Sequence, residues 1–82
     1  MKLIQNRKRK NEVRVLNAIR SVNRNGKNAT GFNIREELNR GLRWKWTFGG
    51  VYLVLMRLED NGRVYCTPDP MDERRSVYEV NR

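Results

Sequence analysis

Two adjacent glycines, Gly49 and Gly50, stand near the start of the apolar segment TFGGVYLVLMRLEDNG. Each of them costs a helix about 1 kcal/mol relative to alanine, so a helix that begins this way needs a physical reason. The N–H groups and the positive dipole end of a helix N-terminus attract phosphate oxygens when no side chain holds the backbone away. We therefore expect this helix to begin against a polyanion. The alternative is a tight turn, or the packing of Trp46 or Phe48 across the glycines.

The charge of the chain indicates the same class of partner. The 82 residues contain 18 Lys and Arg and 9 Asp and Glu, a net charge of +9. Residues 1 to 45 hold 13 of the basic and 3 of the acidic side chains, with the densest run, NRKRK, at Asn6 to Lys10. Such a balance favours nucleic acid as the partner. The run is either a basic arm that lies along phosphates or a solvated tail that aids solubility.

Catalysis and metal binding have few suitable residues in this sequence. It contains no histidine and a single cysteine, Cys66, which leaves out the commonest general base and the ligands of a zinc site. We expect no enzyme activity, no cofactor, no metal and no small-molecule ligand, and we expect Cys66 to be a small core residue. The sequence shows neither a secretory signal nor an apolar run that could span a membrane. We therefore expect a cytoplasmic protein without a membrane partner.

Two amphipathic helices are predicted in the first half of the chain. Asn11 is a plausible N-cap for the first, which ends in a turn at Asn25 and Gly26, and Thr30 can cap the second. Apolar residues at helical spacing are expected to face the interior. They are Val15, Leu16, Ile19 and Val22 on the first helix and Phe32, Ile34 and Leu38 on the second, with Arg35, Glu36 and Arg40 facing water.

The next segment, LRWKW, alternates apolar and basic residues with the period of a strand. This pattern predicts a short strand or extended segment with Trp44 and Trp46 on one face and Arg43 and Lys45 on the other. Interleaved aromatic and basic side chains can stack on unpaired bases, so single-stranded nucleic acid or RNA binding is one interpretation. The interpretation we favour is that both tryptophans hold a connection against the core.

A third helix is predicted between the cap Thr47 and Gly62. The stripe that faces the interior consists of Val51, Val54, Leu55 and Leu58. The opposite face, which a partner would meet, consists of Gly49, Leu53, Met56, Arg57 and Asp60, with Gly50 and Tyr52 at its edges.

Two β-rich runs, RVYCT and SVYEV, follow with PDPMDERR between them, which predicts a hairpin with a long loop. The order of elements is that of an α+β winged helix-turn-helix: three helices, a short strand and a C-terminal β-hairpin wing. We expect a basic N-terminal arm at residues 1 to 10 and a winged-helix DNA-binding domain at residues 11 to 82. The arginines of the wing share their loop with acidic residues, so we expect only a weak grip on phosphate.

Three segments carry a family resemblance: TGFNIREEL, TFGGVYLVLMRLEDNGRV and ERRSVYEVN. The first is similar to a glycine-aromatic-x-isoleucine opening of a second helix. The second is similar to a recognition-helix signature that runs from Gly49 through Tyr52 and Arg57 to Gly62. The third is similar to an arginine-rich return strand with Tyr78 at its aromatic position. From Thr30 onward the chain thus resembles the PadR-like winged-helix transcriptional regulators.

The resemblance implies sequence-specific binding to double-stranded DNA as a dimer, usually as a repressor, with the third helix in the major groove and the wing beside it. The chain departs from the family pattern at Phe48, Gly50 and Leu53. Family members also continue into a C-terminal dimerisation region after the hairpin, where this sequence ends. We therefore expect a homodimer, if one forms, to use helix one through Val13 and Leu16, and the small size suits a prokaryotic, phage or plasmid regulator.

Charge, glycines and resemblance together lead us to expect a DNA-binding transcriptional regulator. Thr47 and Tyr52 are expected to donate to phosphates and Arg57 to reach a base edge. The full set of expected DNA contacts is Thr47, Gly49, Gly50, Tyr52, Leu53, Arg57, Lys45, Arg43, Arg35, Arg74, Arg75, Arg9 and Lys10, with Lys27 and Arg40 adding phosphate contacts. The alternative is a winged-helix module that binds a protein through Leu53 and Met56.

Overall fold

The computed structural model describes the backbone of residues 2 to 81 and the side chains of residues 9 to 81. The protein is an α+β fold of three helices and a two-stranded antiparallel sheet. Its elements, in chain order, are α1 (Lys2–Arg24), α2 (Gly31–Asn39), α3 (Phe48–Asp60), β1 (Val64–Asp69) and β2 (Asp72–Val80). No helix within residues 2 to 81 has the length and apolar character needed to cross a membrane.

Helix α1 is longer than the sequence pattern indicates. It begins at Lys2, so the prediction of a helix start and N-cap at Asn11 is wrong. The segment expected as a basic arm contains no glycine or proline, and its lysines and arginines are good helix formers. Arg9 and Lys10 are exposed on this helix. The side chains of Asn6 to Lys8, which belong to the same predicted arm, lie outside the described residues.

The core lies where the three helices meet one face of the hairpin. The predicted inward stripes of α1 and α3 are all buried, and so are Ile34 and Leu38 on α2. Phe32 is the exception, because 52% of its surface is exposed. It lies in the first turn of α2, where its ring stacks on Phe48 at the start of α3 instead of entering the core. The prediction that Phe32 faces inward is therefore wrong.

Two predicted N-caps are confirmed. The Thr30 hydroxyl accepts a hydrogen bond from the N–H of Asn33 at 3.2 Å, and the Thr47 hydroxyl accepts one from the N–H of Gly50 at 3.0 Å. Both threonines have extended backbone angles, as N-cap residues usually do. The caps define where α2 and α3 begin.

The hairpin is tighter than predicted. Strands β1 and β2 pair as far as Asp69 and Asp72, so only two residues form the turn and the expected long loop is absent. Buried Asp69 closes this turn, because its carboxylate accepts the N–H of Met71 at 2.9 Å. The register shifts next to the turn, and residues 73 to 75 lie between the pairs Asp69–Asp72 and Pro68–Ser76. This irregularity puts Arg74 and Arg75 on an exposed bulge.

The short strand predicted for residues 42 to 46 does not form within the described chain. The reason is that the backbone of Trp46 bonds to side chains of α2 and not to a sheet edge. A third strand-like contact occurs earlier in the chain, before α2. There Thr30 forms a single bridge with Val77, and the N–H of Tyr78 donates to the carbonyl of Ala29 at 3.0 Å. These contacts attach the start of α2 to the hairpin.

Candidate nucleic-acid interface

The position of α3 is set by Asn39 at the end of α2. The Asn39 side-chain oxygen accepts the N–H of Trp46 at 2.6 Å, while its amide nitrogen donates to the Trp46 carbonyl at 3.3 Å. Arg35 Nε donates to the same carbonyl at 2.8 Å. Because Thr47 comes next in the chain, these bonds determine where α3 begins. Asn39 was not predicted as a site residue, although an asparagine in a last helical turn beside a connection is a candidate for such a role.

The first turn of α3 is open to solvent. Phe48 and Gly49 are exposed, and their N–H groups make no hydrogen bond to any residue between 2 and 81. A methyl group added to Gly49 would have only the Thr47 hydroxyl oxygen within 4 Å, at 3.9 Å. A methyl group added to Gly50 would lie 3.3 Å from that oxygen and 3.9 Å from the Trp46 ring. Internal packing thus accounts for a small residue at Gly50 but not at Gly49.

An aromatic cluster supports this turn from the side of α2. The rings of Phe32 and Phe48 are stacked with their centroids 6.3 Å apart. The Arg35 guanidinium lies 4.4 Å from the centroid of Phe48, within the range of a cation–π contact. Arg35, which was expected to face water, is therefore half-buried. Its positive charge nevertheless remains beside the start of α3.

Tyr52 lies across the start of α2. A methyl group added to Gly31 would meet the Tyr52 ring, with Cζ at 2.6 Å. This close approach requires the absence of a side chain at Gly31, and the contact between Gly31 and Tyr52 was not predicted from the sequence. The only signal in the sequence is a glycine directly after the cap Thr30. Tyr52 itself is 43% exposed, so its other face is available to a partner.

The start of α3, the start of α2 and strand β2 enclose a cleft of about 260 Å³, which we call the hairpin cleft. Its lining residues are Thr30, Gly31, Phe32, Phe48, Tyr52, Arg74, Arg75, Ser76 and Tyr78. The predicted contacts Tyr52, Arg74 and Arg75 are thereby brought together although they are far apart in sequence. Arg74 and Arg75 lie 3.4 Å and 3.7 Å from the Asp72 carboxylate and stay largely exposed.

The outer face of α3 is apolar at its centre. Leu53 and Met56 are 58% and 61% exposed, as predicted. Arg57 was expected on the same face, but it is half-buried, and its Nε is buried with no hydrogen-bond partner among the described residues. It follows buried Leu55 by two positions and precedes buried Leu58, so its stem lies at the edge of the packed face. Arg57 is therefore less exposed than its predicted place on the outer face indicates, and its contact with DNA stays a prediction.

The remaining predicted cations do not converge on the hairpin cleft. Lys45 donates to the Asn39 carbonyl at 3.0 Å and shares a shallow surface with Arg35 and Arg40. Arg43 lies instead beside α1, next to Arg14, and Arg9 and Lys10 are also on α1. The two tryptophans differ too: Trp46 is half-buried against the core whereas Trp44 is 85% exposed. The expectation that they share one face and both pack on the core is wrong.

Cys66 is half-buried at the edge of the core. Its thiol donates a hydrogen bond to the Glu59 carboxylate at 3.2 Å. This bond, followed by burial and the negative charge of Glu59, raises the pKa of the Cys66 thiol. The thiol is therefore held in its protonated, unreactive form. Among the described side chains, no group of three or more His, Cys, Asp or Glu could hold a metal ion.

No family model, curated protein or solved structure matches this chain. The resemblance to the PadR-like regulators consequently rests on the three sequence segments quoted above.

Proposed function

We propose that this protein is a sequence-specific, double-stranded DNA-binding transcriptional regulator, and that its fold is a winged helix-turn-helix similar to that of PadR-like repressors. In this proposal α3 enters the major groove and the β1–β2 hairpin is the wing. The observation that carries the proposal is the hairpin cleft, where Phe48 from the first turn of α3 and Tyr52 face the same space as Arg74 and Arg75. Three side chains that can contact phosphate or a base edge, Tyr52, Arg74 and Arg75, thus meet beside the start of α3.

The open first turn of α3 gives the proposal its physical basis. The unpaired N–H groups of Phe48 and Gly49 lie at the positive end of the helix dipole, where a phosphate oxygen binds favourably. Gly49 leaves room for a DNA strand to approach this backbone, and nothing in the described packing requires glycine there. The exposed part of Tyr52 can contact a phosphate in this arrangement, and half-buried Arg57 is the base-contact candidate of α3.

The ion pairs in the hairpin do not prevent Arg74 and Arg75 from binding phosphate. Both arginines are exposed and their shared partner Asp72 is half-buried, and pairs near the surface contribute about 0 to 1 kcal/mol. A phosphate can therefore replace Asp72 at little cost, although the nearby carboxylate reduces the net attraction. We infer that the hairpin contributes more to the orientation of the protein on DNA and to sequence specificity than to affinity.

The partner, the regulatory role and the compartment follow from the same proposal. We propose a cytoplasmic repressor that binds without catalysis. If two copies bind DNA, α1 offers Val13, which is 52% exposed, as the apolar contact of a homodimer. Leu16 was expected to contribute to that contact, but it is 4% exposed and belongs to the core.

The test is a selection from a random double-stranded oligonucleotide pool at near-physiological salt, followed by affinity measurements on the enriched duplex. The test variant is Arg74→Ala/Arg75→Ala. The matched control is Arg20→Ala/Arg24→Ala, which removes the same charge from a separate cleft beside Tyr65 and Glu79. Because each phosphate contact contributes about 0.9 to the salt slope, loss of general attraction alone would affect both variants equally. We expect a larger loss of affinity and an altered motif only for the hairpin variant.

Retention of DNA without an enriched motif, or equal losses in both variants, would reject sequence-specific recognition through the hairpin cleft. Thermal unfolding of both variants checks that a loss of binding is not a loss of fold.

A second candidate function is supported by the exposed apolar surface around α3. Phe32, Phe48, Tyr52, Leu53 and Met56 are each between 41% and 61% exposed. Clustered apolar residues of this kind often mark protein interfaces. The substitution Leu53→Asp separates the two candidates, because a protein-binding module would keep its DNA affinity in this variant. A DNA reader with α3 in the major groove would lose its preference for the selected motif.

A further inference from the structure

The most exposed aromatic side chain of the described residues is Trp44, in the connection between α2 and α3. It is 85% exposed, whereas Trp46 two positions later packs against the core. Exposure of so large an apolar surface to water is unfavourable. The ring therefore contributes little to the fold, and its surroundings indicate what it could bind.

Trp44 borders a cleft of about 560 Å³ between α1 and the connection, which we call the tryptophan cleft. Its lining residues are Asn11, Arg14 and the connection residues 42 to 46. It contains three cations, Arg14, Arg43 and Lys45, and no acidic residue. Within the part of the chain that the structure describes, Arg14 and Arg43 form no ion pair. Both guanidinium groups are thus free to pair with an anion from outside the protein, although Glu37 lies in an adjoining cleft that Arg14 also lines.

Helix α1 extends this positive surface. Lys10 precedes Arg14 by four residues, so the two side chains lie on the same face of the helix one turn apart. Lys10, Arg14 and Arg43 are all exposed. The tryptophan cleft shares no lining residue with the hairpin cleft. It is therefore a separate candidate site on the molecule.

An aromatic ring among unpaired cations matches the chemistry of an unpaired nucleotide. A base can stack on the exposed indole, and guanidinium groups can hold the adjacent phosphate with paired hydrogen bonds. A base inside a duplex cannot stack in this way, because its neighbours already cover both of its faces. A purely apolar partner would leave Arg14 and Arg43 without counter-charges.

We propose that the tryptophan cleft binds an unpaired nucleotide of a single-stranded DNA or RNA segment, with the base on Trp44 and the phosphate held by Arg14 and Arg43. Lys45 adds charge while its ammonium group stays bonded to the Asn39 carbonyl. This inference does not depend on the proposed reading of duplex DNA by α3. It assigns the molecule a second nucleic-acid site with a different preference.

The experiment measures the binding of labelled oligothymidylate and oligouridylate, which cannot form duplexes with themselves, by fluorescence anisotropy. The variants are Trp44→Ala, Trp44→Tyr and Arg43→Ala. The matched control is Met71→Ala, because Met71 is 87% exposed in the hairpin turn, away from both clefts. From the contribution of one stacked base, we expect Trp44→Ala to weaken binding about 5- to 150-fold. Trp44→Tyr should restore much of it, and Arg43→Ala should reduce the salt slope by about 0.7.

The two oligonucleotides distinguish the possible ligands: tighter binding of oligothymidylate indicates DNA, and tighter binding of oligouridylate indicates RNA. Equal affinities of the wild-type protein, Trp44→Ala and Met71→Ala would overturn the proposal, and so would the absence of binding at low salt. Self-association of the wild-type protein that Trp44→Ala abolishes, without oligonucleotide binding, would assign the surface to a second copy instead. Affinity of Trp44→Ala for the selected duplex is measured in parallel. If Trp44→Ala loses affinity for the single-stranded oligonucleotides but not for the duplex, the tryptophan cleft is supported whether or not α3 binds duplex DNA.

Discussion

At the scale of the residue, the substitution Gly49→Ala is expected to increase the stability of the protein and to decrease its affinity for DNA. Its backbone is helical, and an added methyl group meets nothing closer than 3.9 Å. Gly49→Ala should therefore raise the free energy of unfolding by up to about 1 kcal/mol. The same methyl group would hold a DNA strand away from the first turn of α3, so affinity for the selected duplex should fall. Chemical denaturation and duplex binding measured on the same preparation test both halves of this prediction.

The neighbouring glycine provides the control for that experiment. At Gly50 the methyl group would meet the Thr47 hydroxyl at 3.3 Å and disturb the cap of α3. Gly50→Ala should therefore stabilise the protein less than Gly49→Ala, or destabilise it. A Gly49→Ala variant that is more stable and binds the duplex as well as the wild type would show that DNA does not approach this turn.

At the scale of the element, α2 and α3 meet through Gly31 and Tyr52. In the substitution Gly31→Ala, the new methyl group would lie 2.6 Å from Tyr52 Cζ, so the ring or the helix must move. We expect this variant to lose about 1 to 3 kcal/mol of stability, as is typical of overpacked sites. In a Tyr52→Ala background the obstacle is gone, and the same substitution should cost little. A double-mutant cycle by urea denaturation measures this coupling.

Additive effects of the two substitutions would contradict the close contact between Gly31 and Tyr52. The cycle also bears on function, because Tyr52 lines the hairpin cleft. If Gly31→Ala displaces the ring without unfolding the protein, duplex affinity should fall together with stability.

The helices could be predicted from sequence because their signals are local. Helical periodicity and the caps Thr30 and Thr47 correctly identified the buried stripes of α1 and α3 and the beginnings of α2 and α3. The start of α1 was predicted wrongly because asparagine is a common N-cap residue, whereas Asn11 lies inside a continuous helix whose neighbouring residues favour helix. A cap residue indicates a boundary only when the preceding residues disfavour helix.

The non-helical segments were harder to predict because distant residues determine them. The alternation in LRWKW is typical of a strand, but Asn39 binds the backbone of Trp46 through its side chain, and residues 42 to 46 form no bridge to β1 or β2. The two prolines of PDPMDERR suggested a long loop, yet Asp69 stabilises a tight turn by accepting the Met71 N–H. Gly31 and Asn39 were missed for the same reason. Each acts through a partner that only the folded chain brings near.

At the scale of the whole molecule, three ionisable groups connect the stability of the fold to pH. The Tyr65 hydroxyl donates to the Glu79 carboxylate across the hairpin, and this hydrogen bond raises the pKa of Tyr65. The bond to Glu59 raises the pKa of Cys66. Burial raises the pKa of Tyr78, with smaller contributions from neighbouring groups. All three side chains are on the hairpin: Tyr65 reports on the pairing of its two strands, whereas Cys66 and Tyr78 report on its attachment to the helices.

The sign of the pH effect follows from the direction of these shifts. Below the usual pKa values, 9.0 for the thiol and 10.0 for the tyrosines, all three groups are protonated in both states and their stabilising contacts are intact. As the pH rises past these values, the unfolded chain loses its protons first, whereas the folded chain holds them until its raised pKa values are passed. The unfolded state then binds fewer protons, so the free energy of unfolding must decrease with pH.

We therefore expect the contribution of these three groups to the free energy of unfolding to be constant up to about pH 8.5 and to decrease between about pH 9 and pH 11. Urea denaturation at a series of pH values measures the decrease. In the variant Tyr65→Phe/Cys66→Ala two of the three groups no longer titrate, so the alkaline decrease should be clearly smaller than in the wild type, even if the variant is less stable at neutral pH. A decrease of the same size in both proteins would mean that the bonds to Glu79 and Glu59 do not hold these protons in the folded state. The hairpin would then be attached through its apolar contacts and the backbone bond from Tyr78 to Ala29.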